Sequence, residues 1–465
     1  MKRGIIMQKR ISLLEASIVL LIILCCISMG VIVFKLSPNV VILFAIALTI
    51  GYMVIKRMPL EWVNEGIVSG LKPGIIPIFI FLLVGALIAV WIQAGIIPTI
   101  MVIGFKLLSV KWFIPSIFLV CAIVGSAVGS AFTVMSTIGI AFFGIGVTLG
   151  LNPPLIVGAI ASGAIFGDKM SPLSESTNLA SAVVEADLFD HIKNMMWSTI
   201  PAFLVSLILF TIIGKSDATV ELTNVKEVTQ VLETHFHISM WSLIPILLML
   251  VCAWKKLPAI ITILLNVIVA VVMIVIQQGN IDLANLASVV ENGFVSKTGN
   301  EQVDMLLTRG GINSMTFTVL LIILTLSLGG ILMKIGLVTT VIDSLAKCLA
   351  SPSQLIIVSL LSSIGVNIFI GEQLLSVILP GNAFKEVYKK MGLDPVVLSR
   401  TLEDGGTVIN YLIPWGIAGS FVANTFGVST MSYLPFVLFS LLSPIFSILS
   451  ALTGIGVKHT KKVAN

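Results

Sequence analysis

The chain has 465 residues, 57% of them hydrophobic and only 11% charged, with a mean hydropathy of +1.12. Soluble globular domains carry about 25% charge, so the composition excludes one and indicates an all-α polytopic membrane protein. The net charge of +5, from 27 basic and 22 acidic residues, is the excess that cytoplasmic loops of such proteins carry, and no sign of nucleic-acid binding.

Lys2, Arg3, Lys9 and Arg10 precede an apolar run placed near 13–34. It is too long for a signal-peptide core and reads as the first span. A second span over 39–55 ends at Lys56-Arg57, so both basic clusters and the amino terminus are cytoplasmic by the positive-inside rule. Pro59 to Lys72 fits a surface helix or a plain loop. Apolar segments then cover 75–92, 96–108, 112–148, 166–184 and 196–213. The 112–148 block exceeds one span of about 20 residues. Its Gly125, Ser126, Gly129, Ser130, Thr133, Ser136, Thr137 and Gly139 fit either close helix packing or a break that lines a cavity.

Lys215 to His237 is acidic and reads as external. Spans at 240–254 and 257–277 flank Lys255-Lys256, an internal turn, and the net acidic stretch Asp282 to Arg309 is external. Five further apolar blocks cover 315–333, 335–350, 353–380, 407–426 and 433–453, and Lys458, Lys461 and Lys462 keep the carboxyl terminus inside. The count is about 14 crossings, or about 12 if some blocks are re-entrant. The five cysteines form no CxxC pair and read as small core residues. The four histidines read as lying in polar connections, which argues against an intramembrane histidine relay.

Gly150-Leu151-Asn152-Pro153 reappears as Gly392-Leu393-Asp394-Pro395, an offset of 242 that also pairs Gly129 with Gly371, Gly163 with Gly405 and Pro172 with Pro414. Held further, it sets Asp168 on Asn410, Ser130 on Glu372 and Ser162 on Asp404. The coincidences fall on Gly and Pro, where backbone geometry dictates the residue. By the loop charges the first half starts inside and ends outside, and the second does the reverse. This is the inverted-topology repeat of secondary transporters, with sites at the midplane on broken or re-entrant helices. The organisation expected is a two-span segment at 1–60, a first repeat at 61–214, loops and two linking spans at 215–310, and a second repeat at 311–465.

The densest polar stretch, Gly167 to Asn178, puts Asp168, Lys169, Ser171, Ser174, Glu175, Ser176, Thr177 and Asn178 between apolar flanks. A charge near the bilayer centre costs roughly 2.5–3.5 kcal/mol, so the stretch must be buried in protein or line a wet cavity. An unbroken helix would put Asp168, Ser171, Glu175 and Asn178 on one face. Pro172 argues for a break, which would expose carbonyls and half-helix ends. Carboxylates, hydroxyls and carbonyls suit a hard cation such as Na+, held at Asp168 and Glu175. Lys169 is the counter-charge, paired with Asp168 or Glu175 or reaching for the interface.

In the second half, Glu403, Asp404, Thr407 and Asn410 form a matching cluster, with an interfacial turn including Arg400 as the alternative. Glu372 is a lone charge beside Asn367 and Gln373; a buried, unpaired Glu stays neutral and suits proton exchange. A carboxylate that holds either a proton or Na+ makes the two compete, which yields exchange without a covalent step. The chain lacks GxxxxGK[ST], against ATP drive, and the same motif search finds no GxSxG and no buried His for an intramembrane hydrolase.

The run GDKMSPLSESTNLAS, with GLNPP upstream and GLDP and EDGG downstream, resembles the NhaC family of bacterial Na+/H+ antiporters over most of the chain. The resemblance implies a plasma-membrane antiporter with Asp168, Ser171, Ser174, Glu175, Thr177 and Asn178 on one side of its site, and Glu372, Glu403 and Asp404 on the other. It implies no enzyme activity and no cofactor beyond transported Na+ and H+, with a homodimer as one option. Relatives with the same core include Na+-coupled malate/lactate antiporters and amino-acid carriers, so an organic acid or amino-acid carrier is the alternative.

Overall fold

The computed structural model describes residues 11–107, 110–214, 222–255, 257–279, 282–347 and 351–460. The basic residues at 2–10, Lys215, Lys256, Lys461 and Lys462, and Cys348, lie outside them. The described chain is helical, with two isolated β-bridges (Phe294 with Arg309, Leu393 with His459) and no strand.

A hairpin of α1 (Leu13–Ser28) and α2 (Pro38–Ile55) comes first, followed by α3 (Glu61–Leu71), α4 (Ile75–Gln93) and α5 (Ile96–Leu107). The Pro59 to Lys72 stretch is therefore a helix, and it is packed: a Cβ on Gly66 would strike the backbone of Ile331, and one on Gly70 the backbones of Leu326 and Gly330. Next come α6 (Phe113–Val128), α7 (Ala131–Val134), which runs on through a π turn into α8 (Ile140–Thr148), then α9 (Pro153–Met170), α10 (Glu175–Val183) and α11 (Leu188–Ile213). The linking part holds α12 (Leu222–His235), α13 (Ile244–Trp254), α14 (Ala259–Gln278), α15 (Leu283–Asn292) and α16 (Glu301–Leu307). Last are α17 (Thr316–Lys334), α18 (Leu337–Lys347), α19 (Pro352–Ile370), α20 (Gln373–Lys390), α21 (Pro395–Leu402), α22 (Ile417–Phe426), α23 (Thr430–Tyr433) and α24 (Leu438–Thr453).

Among the described residues nine helical runs are long and apolar enough to cross a membrane, or up to 11 if each sharply bent pair counts as one span. This is fewer than the apolar blocks suggested, because several blocks are interrupted. The 112–148 block ends α6 at Gly129 and restarts at Ser130, so it is both broken and closely packed: Gly163 and Gly167 of α9 leave room for the backbone of Phe118, Ala122 and Ser126 on α6. The 353–380 block breaks likewise at Gly371. Both glycines take a left-handed conformation, φ +71 and +69, that closes the preceding helix.

The interruptions recur at the spacing of 242. Pro153 and Pro395 open helices, Gly129 and Gly371 close them, Ser130 and Glu372 cap the next ones, and Glu175 and Ile417 restart the chain after Pro172 and Pro414. The apolar core divides in two. One cluster gathers residues of α4 to α9 with Ile417, Phe421 and Phe426 of α22; the other gathers α1, α2 and α17 to α21 with Ala180 and Val184 of α10. The helices broken at Pro172 and Pro414 therefore start in one core and finish in the other, whereas those broken at Gly129 and Gly371 keep both halves in the same core.

Candidate functional site

All four interruptions line one cavity of about 490 Å³. Gly129 and Ser130 come from the first, Leu173, Ser174, Glu175 and Ser176 from the second, Glu372 to Leu374 from the third and Ile417 from the fourth. Asp168, Thr133, Phe81 and Phe132 complete its inner wall, and Ile76, Pro77 and Leu257 to Ile260 its outer one. Asp168, Ser174, Glu175 and Glu372 thus share a space, as the sequence suggested.

The helix bearing Asp168 ends at Met170, because Pro172 has no amide to continue it, and the chain is extended at Ser171 and Ser174. Asp168 is buried against the Ser174 hydroxyl and the Ala131 amide at the start of α7. Glu175, one residue past the break, is exposed to the cavity. Ser171, Thr177 and Asn178 do not line the space; they hold the break in shape. Ser171 Oγ accepts from the Leu173 amide (3.2 Å), Thr177 Oγ1 donates to the Lys169 carbonyl (3.0 Å), and Asn178 Nδ2 donates to the carbonyls of Pro172 (2.9 Å) and Ser174 (2.7 Å).

Glu372 is not unpaired, contrary to the sequence expectation. Its carboxylate caps α20, accepting from the amides of Leu374 (2.9 Å) and Leu375 (2.6 Å). Ser130 does the equivalent for α7 through the Thr133 amide, so the offset pairs two caps of different charge.

Lys169 pairs with neither Asp168 nor Glu175, and it does not reach the interface. It points away from the cavity, fully buried, to an ion pair with Asp404 of the second half. Ser443 of α24 completes the contact, accepting from Lys169 Nζ (3.0 Å) and donating to Asp404 Oδ1 (2.6 Å). Helices α9 and α24 and the π turn Glu403–Thr407 that extends α21 are thus joined at one point. Ser443 escaped the sequence reading, yet the signal was there: Ser440, Ser443, Ser447 and Ser450 follow helical spacing and all are buried.

The interfacial alternative for the second cluster is ruled out, since Arg400, Glu403 and Asp404 are all fully buried. None of Glu403, Asp404 and Asn410 lines the cavity. Asn410 secures the fourth interruption, accepting from the Ala418 amide (2.7 Å) and donating to Asn367 Oδ1 (2.6 Å), while Asn367 donates to the Gly406 carbonyl. His191 is a further correction. It lies in the first turn of α11, fully buried, with Nδ1 2.7 Å from Ser399 Oγ; its polar sequence neighbours had suggested a surface connection.

Among the described residues no three His, Cys, Asp or Glu side chains converge tightly enough to cage a metal ion. A cation held at Asp168 and Glu175 needs hydroxyl, carbonyl or water oxygens to complete its shell, and Ser130, Ser174 and Ser176 offer the hydroxyls.

Residues 163–455 match the Na+/H+ antiporter family. The chain is 41% identical over 433 residues to the Na+/H+ antiporter NhaC of Alkalihalophilus pseudofirmus, covering 93% of this chain and 94% of that one. It is 37% identical to the Na+/H+ antiporter NhaC of Bacillus subtilis, covering 88% and 90%. It is 35% identical to the malate-2H+/Na+-lactate antiporter of Bacillus subtilis, covering 86% and 85%.

Proposed function

This chain belongs to the Na+/H+ antiporter family, and on that premise we propose that it exchanges Na+ for H+ across the plasma membrane by alternating access, with Asp168 anchoring the cation. The observation that carries the assignment is the charge gathered on the cavity. Four helical runs begin at it, from Ala131, Glu175, Gln373 and Ile417, and each N-terminus acts as about half a positive charge. Set against Asp168, Glu175 and Glu372, these ends leave roughly one net negative charge when all three acids are ionised. One monovalent cation neutralises that, with no lysine or arginine in the described lining.

The two halves are threaded in opposite senses, so that rocking of one core against the other exposes the breaks to either side. The lining residue Leu257 follows Lys255, in the turn assigned to the cytoplasm by charge, and on this reading the conformation faces inward. Everted vesicles that report ΔpH test the function. Na+ added without any organic solute should release the gradient, and Asp168→Asn should abolish the response while the protein stays in the membrane. A second reading has its own support: four helix N-termini also suit a carboxylate, and one relative is named for malate and lactate. A response only when malate, lactate or an amino acid is supplied would select it.

A further inference from the structure

Glu403 is fully buried, and among the described residues neither of its carboxyl oxygens is in a well-formed hydrogen bond, the Thr407 hydroxyl being the one side-chain donor that acts on it. Its chain neighbour Asp404 is engaged by Lys169 and Ser443, and Lys169 by Asp404 and Ser443. Among the described residues no Lys or Arg of the elements packed on this π turn forms an ion pair with Glu403, although Arg400 keeps its Nε and Nη2 without partners. Helices α19 and α24 carry no titratable side chain. On α20 the nearest acid, Glu372, caps its own helix, and the charged residues of that helix from Lys385 onward lie at its far end. Helix α10 contributes Glu175, which faces the cavity, and α21 contributes Arg400, bonded to the Gly456 carbonyl. The charged groups that act on Glu403 are Lys169, Asp168 and Asp404; the Thr407 hydroxyl lies four residues on, and the Tyr411 hydroxyl is buried without a partner among the described residues.

An ionised carboxylate without a donor, away from water, is among the costliest groups a protein can hold. Adding a proton removes the charge and needs no space, whereas Na+ needs a shell of oxygens. Glu403 is also absent from the cavity lining, where Asp168 and Glu175 are found. We propose that Glu403 is the proton site of the exchange, separate from the cation site at Asp168 and linked to it through space. This rests on the exchange proposed above and replaces competition for one carboxylate with coupling between two. With Na+ beside Asp168, the added positive charge favours ionised Glu403; its O–H bond breaks and the proton leaves by way of the cavity. When Na+ departs, the charge of Asp168 draws a proton back onto Glu403. At this pair of groups one Na+ taken up matches one proton given up, and the linkage is reciprocal.

The test uses the full chain in proteoliposomes, with Na+-driven proton flux and radioactive sodium counterflow measured side by side. Glu403→Gln should lose proton flux but keep Na+–Na+ counterflow, and that counterflow should no longer vary with pH; Glu403→Asp should keep both. Wild-type proton flux in Glu403→Gln overturns the inference, as does loss of counterflow in a monodisperse, folded variant. Should Glu403→Gln fail to fold, infrared difference spectra of the wild type decide. A protonated carboxyl band that disappears on adding Na+ and moves in Glu403→Asp supports the assignment; its absence overturns it. A wild type with no Na+-driven proton flux removes the exchange reading itself, a result distinct from a wild type that exchanges and a Glu403→Gln that does so equally well.

Discussion

Replacing Lys169 by Met keeps most of the side chain's length and removes its charge. Asp404 would then face a fully buried site with Ser443 as its remaining donor. Breaking a buried ion pair from one side costs roughly 3–5 kcal/mol, because the other charge is stranded, whereas replacing both partners by apolar groups is often neutral. The stranded charge, not the lost attraction, supplies most of that figure. Lys169→Met and Asp404→Leu should therefore each destabilise by about 3–5 kcal/mol, a large part of the 5–15 kcal/mol typical of folded proteins. The double variant should be no worse than either single one, giving a coupling of several kcal/mol. Unfolding by SDS titration of purified protein in mild detergent reads all four corners of the cycle. Singles within about 1 kcal/mol of the wild type, or a double variant equal to the sum of its parts, would refute the ion pair as the joint between the halves.

Asn178→Ala removes the side-chain donor to the Pro172 carbonyl and one of the two donors to the Ser174 carbonyl, which keeps the Asn178 amide; it should cost about 0.5–1.5 kcal/mol and raise the Na+ concentration for half-maximal exchange, measured in everted vesicles. Gly167→Leu forces a side chain onto the Ala122 carbonyl and the Ser126 amide; overpacking of this kind costs about 1–3 kcal/mol or more, seen as an earlier thermal transition in size-exclusion chromatography, while Ser126→Ala should be nearly silent. Outside the spans, the amides of Thr298 and Gly299 and the hydroxyls of Ser296 and Thr298 hold the Asp304 carboxyl down at about 2. Its contribution is complete above the ordinary value of about 4 and fades as pH falls toward 2. Pepsin cleavage between residues 293 and 311 should therefore accelerate over that window in the wild type but not in Asp304→Asn.

The sequence by itself determined that this is a helical membrane protein, because 57% apolar residues with 11% charge leave no other folded state. It also marked the break at Pro172, which acts through its own backbone and needs no knowledge of neighbours, whereas the stops at Gly129 and Gly371 fall inside apolar blocks, where the letters leave the first open and hide the second. Asp168, Glu175 and Glu372, which line the cavity, were singled out for a related reason, since a charge inside an apolar run advertises itself wherever it points. Partners were a different matter. The residues Lys169 and Asp404 are 235 positions apart, and only the meeting of the two cores made them neighbours and turned Lys169 away from the adjacent Asp168. The same crossing put His191 and Arg400 out of reach of water despite polar surroundings in the chain. It also left Glu403 without an ion-pair partner among the described residues. Backbone propensity is local and can be read from a string of letters; the partner of a buried charge is decided by packing between distant helices.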